Sequence, residues 1–155
     1  MAKRNPSRAQ GKSDAAGARA KKGEALRRRV LGHDHVNRSL AEADALTADL
    51  TRLIHEWVWH DIWSRPGLPL KTRSLINVAL LTALNRPREL KLHLRGAFNN
   101  GCSVEEIREV LLHTALYAGV PATIDSVHVV RDTLKEMGHP MTARGTAKAA
   151  PRSKT

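Results

Sequence analysis

The chain is short of three things, and each shortage removes a class of function. Among its 155 residues there is a single cysteine, Cys102, so neither an internal disulfide nor a Cys-x-x-Cys redox or zinc motif is available. Aromatic residues come to 3%, too few for a platform that stacks single-stranded nucleic acid. No apolar run approaches the roughly 18 residues of a membrane-spanning helix, so no membrane partner is expected. Gly-rich phosphate loops, a nucleophile elbow and a His-x-x-x-His pair are missing too. Their absence argues against phosphate-cradling, serine-hydrolase and zinc chemistry, and no metal site is expected. The start lacks the apolar core of a secretory signal. One lone cysteine suits a reducing, cytoplasmic compartment.

Charge is plentiful, with a formal net of +11, but it is unevenly spread. Residues 1–22 hold seven Lys/Arg and one acid, residues 139–155 four Lys/Arg and none, and residues 23–138 are nearly balanced at 15 against 14. The expected organisation is therefore a helical domain over 23–138 between two basic tails, 1–22 and 139–155. Both tails are rich in Ala, Gly, Ser, Lys and Arg and poor in large apolar residues, a composition that predicts disorder. Weak contact with polyanions is the one nucleic-acid role the tails support; a solubilising extension is the plainer reading.

The middle reads as all-α, a bundle of about six helices, since no period-2 alternation is long enough for a strand. Residues 24–31 form a short basic helix or turn. Ser39 with Glu42 has the spacing of a capping box and predicts a helix of about 20 residues through Trp57 and Trp59, with Leu46, Leu50, Leu53, Ile54 and Trp57 at helical spacing. The turn Ser64-Arg65-Pro66-Gly67 stops it. A central helix follows at 70–85. The next is opened by Pro87 and closed by Gly101. Ser103 with Glu106 starts a helix over 104–118, and Pro121 opens the last, 121–136.

Helical geometry then sorts the ionisable residues into rows. Arg86, Glu89 and His93 are each one turn apart, followed by Gly96 and Ala97, small residues that point to close approach of another helix or a ligand. Glu106, Glu109, His113 and Tyr117 share a face of the 104–118 helix, with Glu106 already occupied as a cap. Arg73 and Asn77 share a face of the central helix. Lys71, Arg88, Lys91 and Arg95 read as solvent-facing. His33 and His35, two apart, do not share a helix face.

Read together, these stretches resemble a known family. WSRPGLPLKTRSLINVALLTALNR (63–86), ELKLHLRGAFNNG (89–101), EEIREVLLHTALYAGVPA (105–122) and, upstream, RRVLGHDHVNRSL (28–40) are similar to the 4-carboxymuconolactone decarboxylase family over about residues 24–136. The superfamily also holds the alkylhydroperoxidase D proteins, whose signature is Cys-x-x-Cys-x-x-x-His. With that histidine on His93, Arg86 and Glu89 stand where the two cysteines would be, so dithiol peroxidase chemistry is lost. The proton-relay glutamate of that branch falls near Ser74. Cys102 lies beyond the helix end and reads as incidental. His60 stands where the decarboxylase branch has Gly.

The resemblance implies an alkylhydroperoxidase D-like fold, self-association as a trimer or hexamer with sites near subunit interfaces, and no cofactor. It implies conversion of 4-carboxymuconolactone, a small dianionic lactone, to 3-oxoadipate enol-lactone and CO2 in protocatechuate degradation. For that chemistry arginine suits the carboxylates, and Arg73 and Arg86 are the expected grips. His93 is the first choice of proton donor and His113 the second, with Glu89 orienting His93. His93 or Tyr117 would steady charge on the lactone oxygen. Trp57, Trp59 and Trp63 are candidates for the pocket wall, Trp63 foremost, with core packing expected for at least two of the three. Two other readings stay open: a relative acting on another lactone or keto acid, and a non-catalytic protein that binds through its basic tails.

Overall fold

Seven α-helices and one π-helical segment make up the computed structural model, which describes the backbone of residues 6–139 and the side chains from residue 16 onward. Helix α1 spans Pro6–Leu31, α2 His33–Ala41 and α3 Ala48–Leu53. The π-helical segment Ile54–Trp63 follows without a break. Then come α4 Leu70–Ala83, α5 Pro87–Asn99, α6 Val104–Ala118 and α7 Val120–Glu136. Among the described residues there is no strand. No helix there is long and apolar enough to cross a membrane.

Three expectations change. Residues 6–22, read above as tail, are helical and continuous with the packed end of α1; Arg19 forms an ion pair with Asp61 of the π-helical segment. Their Ala, Lys, Arg and Gln favour helix, while so few apolar side chains left no signal of packing. Ser39 is not a cap. It lies inside α2, which starts after Gly32 at φ +89°, and its hydroxyl accepts a hydrogen bond from Arg27 Nη2 at 3.1 Å. The turn that precedes α3 is made instead by Asp44, whose Oδ1 accepts from the backbone N–H groups of Leu46 and Thr47, 3.0 Å each. The helix count rises because α2 is a separate element. Of the expected 139–155 tail, residues 140–155 lie outside the described residues.

Elsewhere the local signals hold. Ser103 and Glu106 cap α6 reciprocally: Glu106 N–H donates to Ser103 Oγ at 3.1 Å, and Ser103 N–H to Glu106 Oε2 at 2.8 Å. Pro87 sits in the first turn of α5, where its missing N–H costs nothing.

One core gathers Val78, Leu90, Leu94, Ala97, Ile107, Leu111, Val130 and Leu134 from α4 to α7. A second gathers Val30, Leu31, Trp59 and Trp63, with Leu92 packed against it. Helix α5 is amphipathic enough to face both, and this places its polar row at the seam. Two glycines allow the close approaches. A Cβ on Gly23 would stand 1.8 Å from the carbonyl oxygen of His55, so α1 lies directly on the backbone of the π-helical segment. At Gly96 a Cβ would meet Val30 and Leu31 side-chain atoms at 3.2 and 3.1 Å. The small residues after His93 thus admit the end of α1.

Candidate active site

The row on α5 is split by its surroundings. Arg86, the residue before the helix, and Glu89 are exposed, whereas His93 is half-buried against α4. Asn77 Nδ2 lies 3.2 Å from His93 Nδ1. With the amide donating there, the ring proton of neutral His93 sits on Nε2. Burial holds the His93 pKa below the usual imidazole value; a charge on nearby His35 would lower it further, and Glu89 opposes both. The result is an imidazole kept toward its neutral form, with Nδ1 engaged by Asn77.

Around this pair, α4 supplies two more polar groups. Ser74, near which the relay glutamate would fall, is buried and accepts from Asn100 Nδ2 at 2.9 Å. Arg73, one turn before Asn77, gives one N–H to the carbonyl of Arg65 at 3.0 Å. Its Nε is buried without a hydrogen-bond partner. Cys102 is buried, and burial pushes its thiol above the usual value, which disfavours the nucleophilic thiolate.

The residue the sequence reading passed over is His35. Its Nε2 is buried and has no hydrogen-bond partner among the described residues. Burial, then Arg27 and Arg38, hold its pKa below the usual value, with Glu42 opposing. Behind it Arg27, only 8% exposed, donates to Ser39 and points Nη1 at His55 Nε2, 3.2 Å away. His55, buried as well, has its pKa lowered by desolvation and then by Arg27. The available signal was the stretch Arg28–Leu40, in which His35 stands two residues after His33 and is read above only as sharing no helix face with it.

Two cavities open beside His35, and none of His93, Asn77 and Arg73 lines them. One, of about 660 Å³, lies between α2 and α5 and is lined by His33, His35, Arg38, Arg88, Glu89, Lys91 and Arg95 among others. The second, of about 490 Å³, is lined by His35, Arg38, Ser39, Glu42 and Arg88 with residues of α3. Lys91 and Arg95 are both engaged by Glu136, 2.6 Å each.

Like His93, the expected site residues His113, Tyr117 and Trp63 line neither of these cavities. His113 and Tyr117 are exposed, with ring centroids 5.0 Å apart. His113 lines an apolar groove of about 540 Å³ between α4 and α6, which shares no residue with the two cavities above. Trp63 is buried, its ring centroid 4.7 Å from that of Trp59, and lines neither cavity. Trp57 is 57% exposed.

Comparison with known proteins bears on what such a site does. The profile described as the carboxymuconolactone decarboxylase family matches residues 48–132. A protein named 4-carboxymuconolactone decarboxylase, from Acinetobacter baylyi, is 45% identical over 120 residues, 77% of this chain and 90% of that protein. A second, named nitrosuccinic acid decarboxylase, from Metarhizium robertsii, is 42% identical over 112 residues, 72% of this chain and 78% of that protein.

Proposed function

The chain belongs to the carboxymuconolactone decarboxylase family, and we propose that it is a carboxy-lyase that converts 4-carboxymuconolactone to 3-oxoadipate enol-lactone in protocatechuate degradation. In this reaction the bond from ring carbon to carboxylate breaks and CO2 leaves. The electron pair passes through the ring double bond to the lactone carbonyl, forming an enolate. One proton then adds to the ring carbon beside that carbonyl, so each turnover releases one CO2 and consumes one proton. The substrate is its own electron sink, and the chemistry asks for no cofactor.

The observation that carries this reading is the pair Asn77 and His93. A neutral imidazole whose Nδ1 is engaged by Asn77 has its Nε2–H left to donate, which suits hydrogen bonding to an enolate oxygen, where preorganised donors act most strongly. His93 is therefore assigned to the lactone oxygen, and the proton-delivering role first expected of it passes to another group. Arg73, one turn before Asn77, is assigned to the carboxylate that stays, because over-stabilising the one that leaves would raise the barrier. Arg86 and Glu89, both exposed, are assigned to the rim. His113 and Tyr117 stand on the apolar α4–α6 surface with Leu112 and Leu116, 60% and 76% exposed. We assign that surface to a second copy of this chain in a trimer or hexamer, and the enzyme to the cytoplasm.

The test is CO2 release from 4-carboxymuconolactone generated in place, by wild type and His93→Ala. Turnover that falls at least about a hundredfold in the variant supports reaction and site together. A well-folded wild type that releases no CO2 rejects the reaction. One relative's name favours a second reading. Nitrosuccinic acid is also a dicarboxylic acid with an electron-withdrawing group beside a carboxylate, so the same site would accept a nitro group as sink. Turnover of nitrosuccinate in preference to the lactone would select it.

A further inference from the structure

Three residues line both cavities of the α2–α5 seam: His35, Arg38 and Arg88. Carboxylates are present too, but each faces one cavity only, Asp34 and Glu89 the first and Glu42 the second. Neither arginine side chain makes a hydrogen bond or ion pair with another described residue, in contrast to Lys91 and Arg95, which are committed to Glu136. His35 Nε2, buried and unpartnered, is the group most in need of a ligand, since an unsatisfied buried polar atom is costly.

We propose that His35 hands the proton to the substrate ring and that Arg38 and Arg88 hold the dianion against it. The inference rests on the decarboxylase reading and moves the carboxylate grip given there to Arg73, which lines neither cavity, to Arg38 and Arg88, which line both. Unliganded, His35 is held neutral first by burial and then by Arg27 and Arg38, with Glu42 opposing, while Arg88, Glu89 and His93 stand nearby. A bound dianion reverses the sign of that field and favours the imidazolium. The proton therefore arrives with the substrate. After CO2 has left, His35 Nε2–H transfers its proton to the ring carbon beside the lactone carbonyl, and the neutral imidazole regains one from water through the open cavity. His93 meanwhile keeps its proton and serves the oxygen. Two histidines with different duties follow from their partners: one nitrogen of His93 is engaged by Asn77, and Nε2 of His35 has no hydrogen-bond partner among the described residues.

The test uses the full chain and two readouts. The first is turnover of 4-carboxymuconolactone against pH. The second is calorimetric affinity for its ring-saturated analogue, which keeps both carboxylates but has no conjugated sink. His35→Gln is expected to lower kcat about a hundredfold, to lose the imidazole limb of the pH profile and to leave affinity for the analogue within about threefold. Arg38→Gln and Arg88→Gln are each expected to weaken the analogue about tenfold or more. An unchanged kcat and pH profile in His35→Gln overturns the proton assignment, and unchanged affinity in both arginine variants overturns the clamp. Should His35→Gln fail to fold, NMR titration of His35 in the wild type decides: its pKa must rise when the analogue binds, and a pKa that stays put overturns the proposal. If wild type binds the analogue through these arginines but releases no CO2, the decarboxylase reading and proton delivery fall together while the dianion site stands. If CO2 is released yet His35→Gln behaves as wild type, only the proposal falls.

Discussion

Asn77 on α4 and His93 on α5 meet at 3.2 Å, amide nitrogen to Nδ1, and with the amide donating, the proton of the neutral His93 ring is carried on Nε2. The two residues are 16 apart in sequence and join α4 to α5. A tautomer held in this way costs no reorganisation during reaction.

Removing the amide should release that constraint. Asn77→Ala is expected to lower kcat at least about tenfold with little change in KM, because the donor is used mainly once the oxygen has become charged. Nitrogen chemical shifts of His93 should change from one tautomer to a mixture. A variant with normal kcat would show that the orientation of His93 does not matter.

Gly23 should tolerate no side chain. A Cβ there would lie 1.8 Å from the His55 carbonyl oxygen and 2.7 Å from its carbon, and both are backbone atoms that cannot swing away. Gly23→Ala is expected to destabilise the fold by about 3 kcal/mol or more, read as a lowered denaturation midpoint. Gly17→Ala, with nothing within 4 Å of the new atom, is the control and should leave the midpoint unchanged or raised.

Stability should fall on mild acidification. His35, His55 and His93 all have folded pKa values below the ordinary imidazole value, burial being the first cause in each. The unfolded chain therefore binds protons first. Their contribution is complete above about pH 6.5 and is lost as pH falls below it, toward the depressed folded values. Thermal midpoints should decline between pH 7 and pH 5. That window is separate from the one for Glu106 and Glu136, whose lowered carboxylate pKa values act only below the usual carboxylate value of 4.5. A midpoint flat from pH 7 to pH 5 would contradict the burial of these imidazoles.

The apolar α4–α6 surface should report self-association. Leu116→Lys places a charge where 76% of the residue is exposed in one chain. If a second copy covers it, the charge is desolvated and the assembly should shift to smaller species by light scattering. Wild type that already runs as a monomer would refute the association.

Much of the fold was legible because its signals are local. Pro87 and Gly101 bound α5, Ser103 and Glu106 cap α6, and the turn at 64–67 separates the π-helical segment from α4. Ser39 shows where such signals mislead: it has the spacing of a cap, yet a buried arginine claims its hydroxyl. The ten-residue π-helical stretch was not legible, since a helical apolar pattern does not tell an α-turn from a wider one.

Of the candidate site, the composition, order and spacing of the motifs determined the helical class, the family resemblance and the choice of His93 on a mixed face. Periodicity along one helix is enough for that. Which groups face one another was decided by tertiary structure alone. His35 and His93 are 58 positions apart, and Arg27 and His55 are brought together across two elements. That His113 lines a groove of its own between α4 and α6 was equally invisible. The physical reason is that a side chain's partners and hydration, which set its pKa and its use, belong to the space between helices.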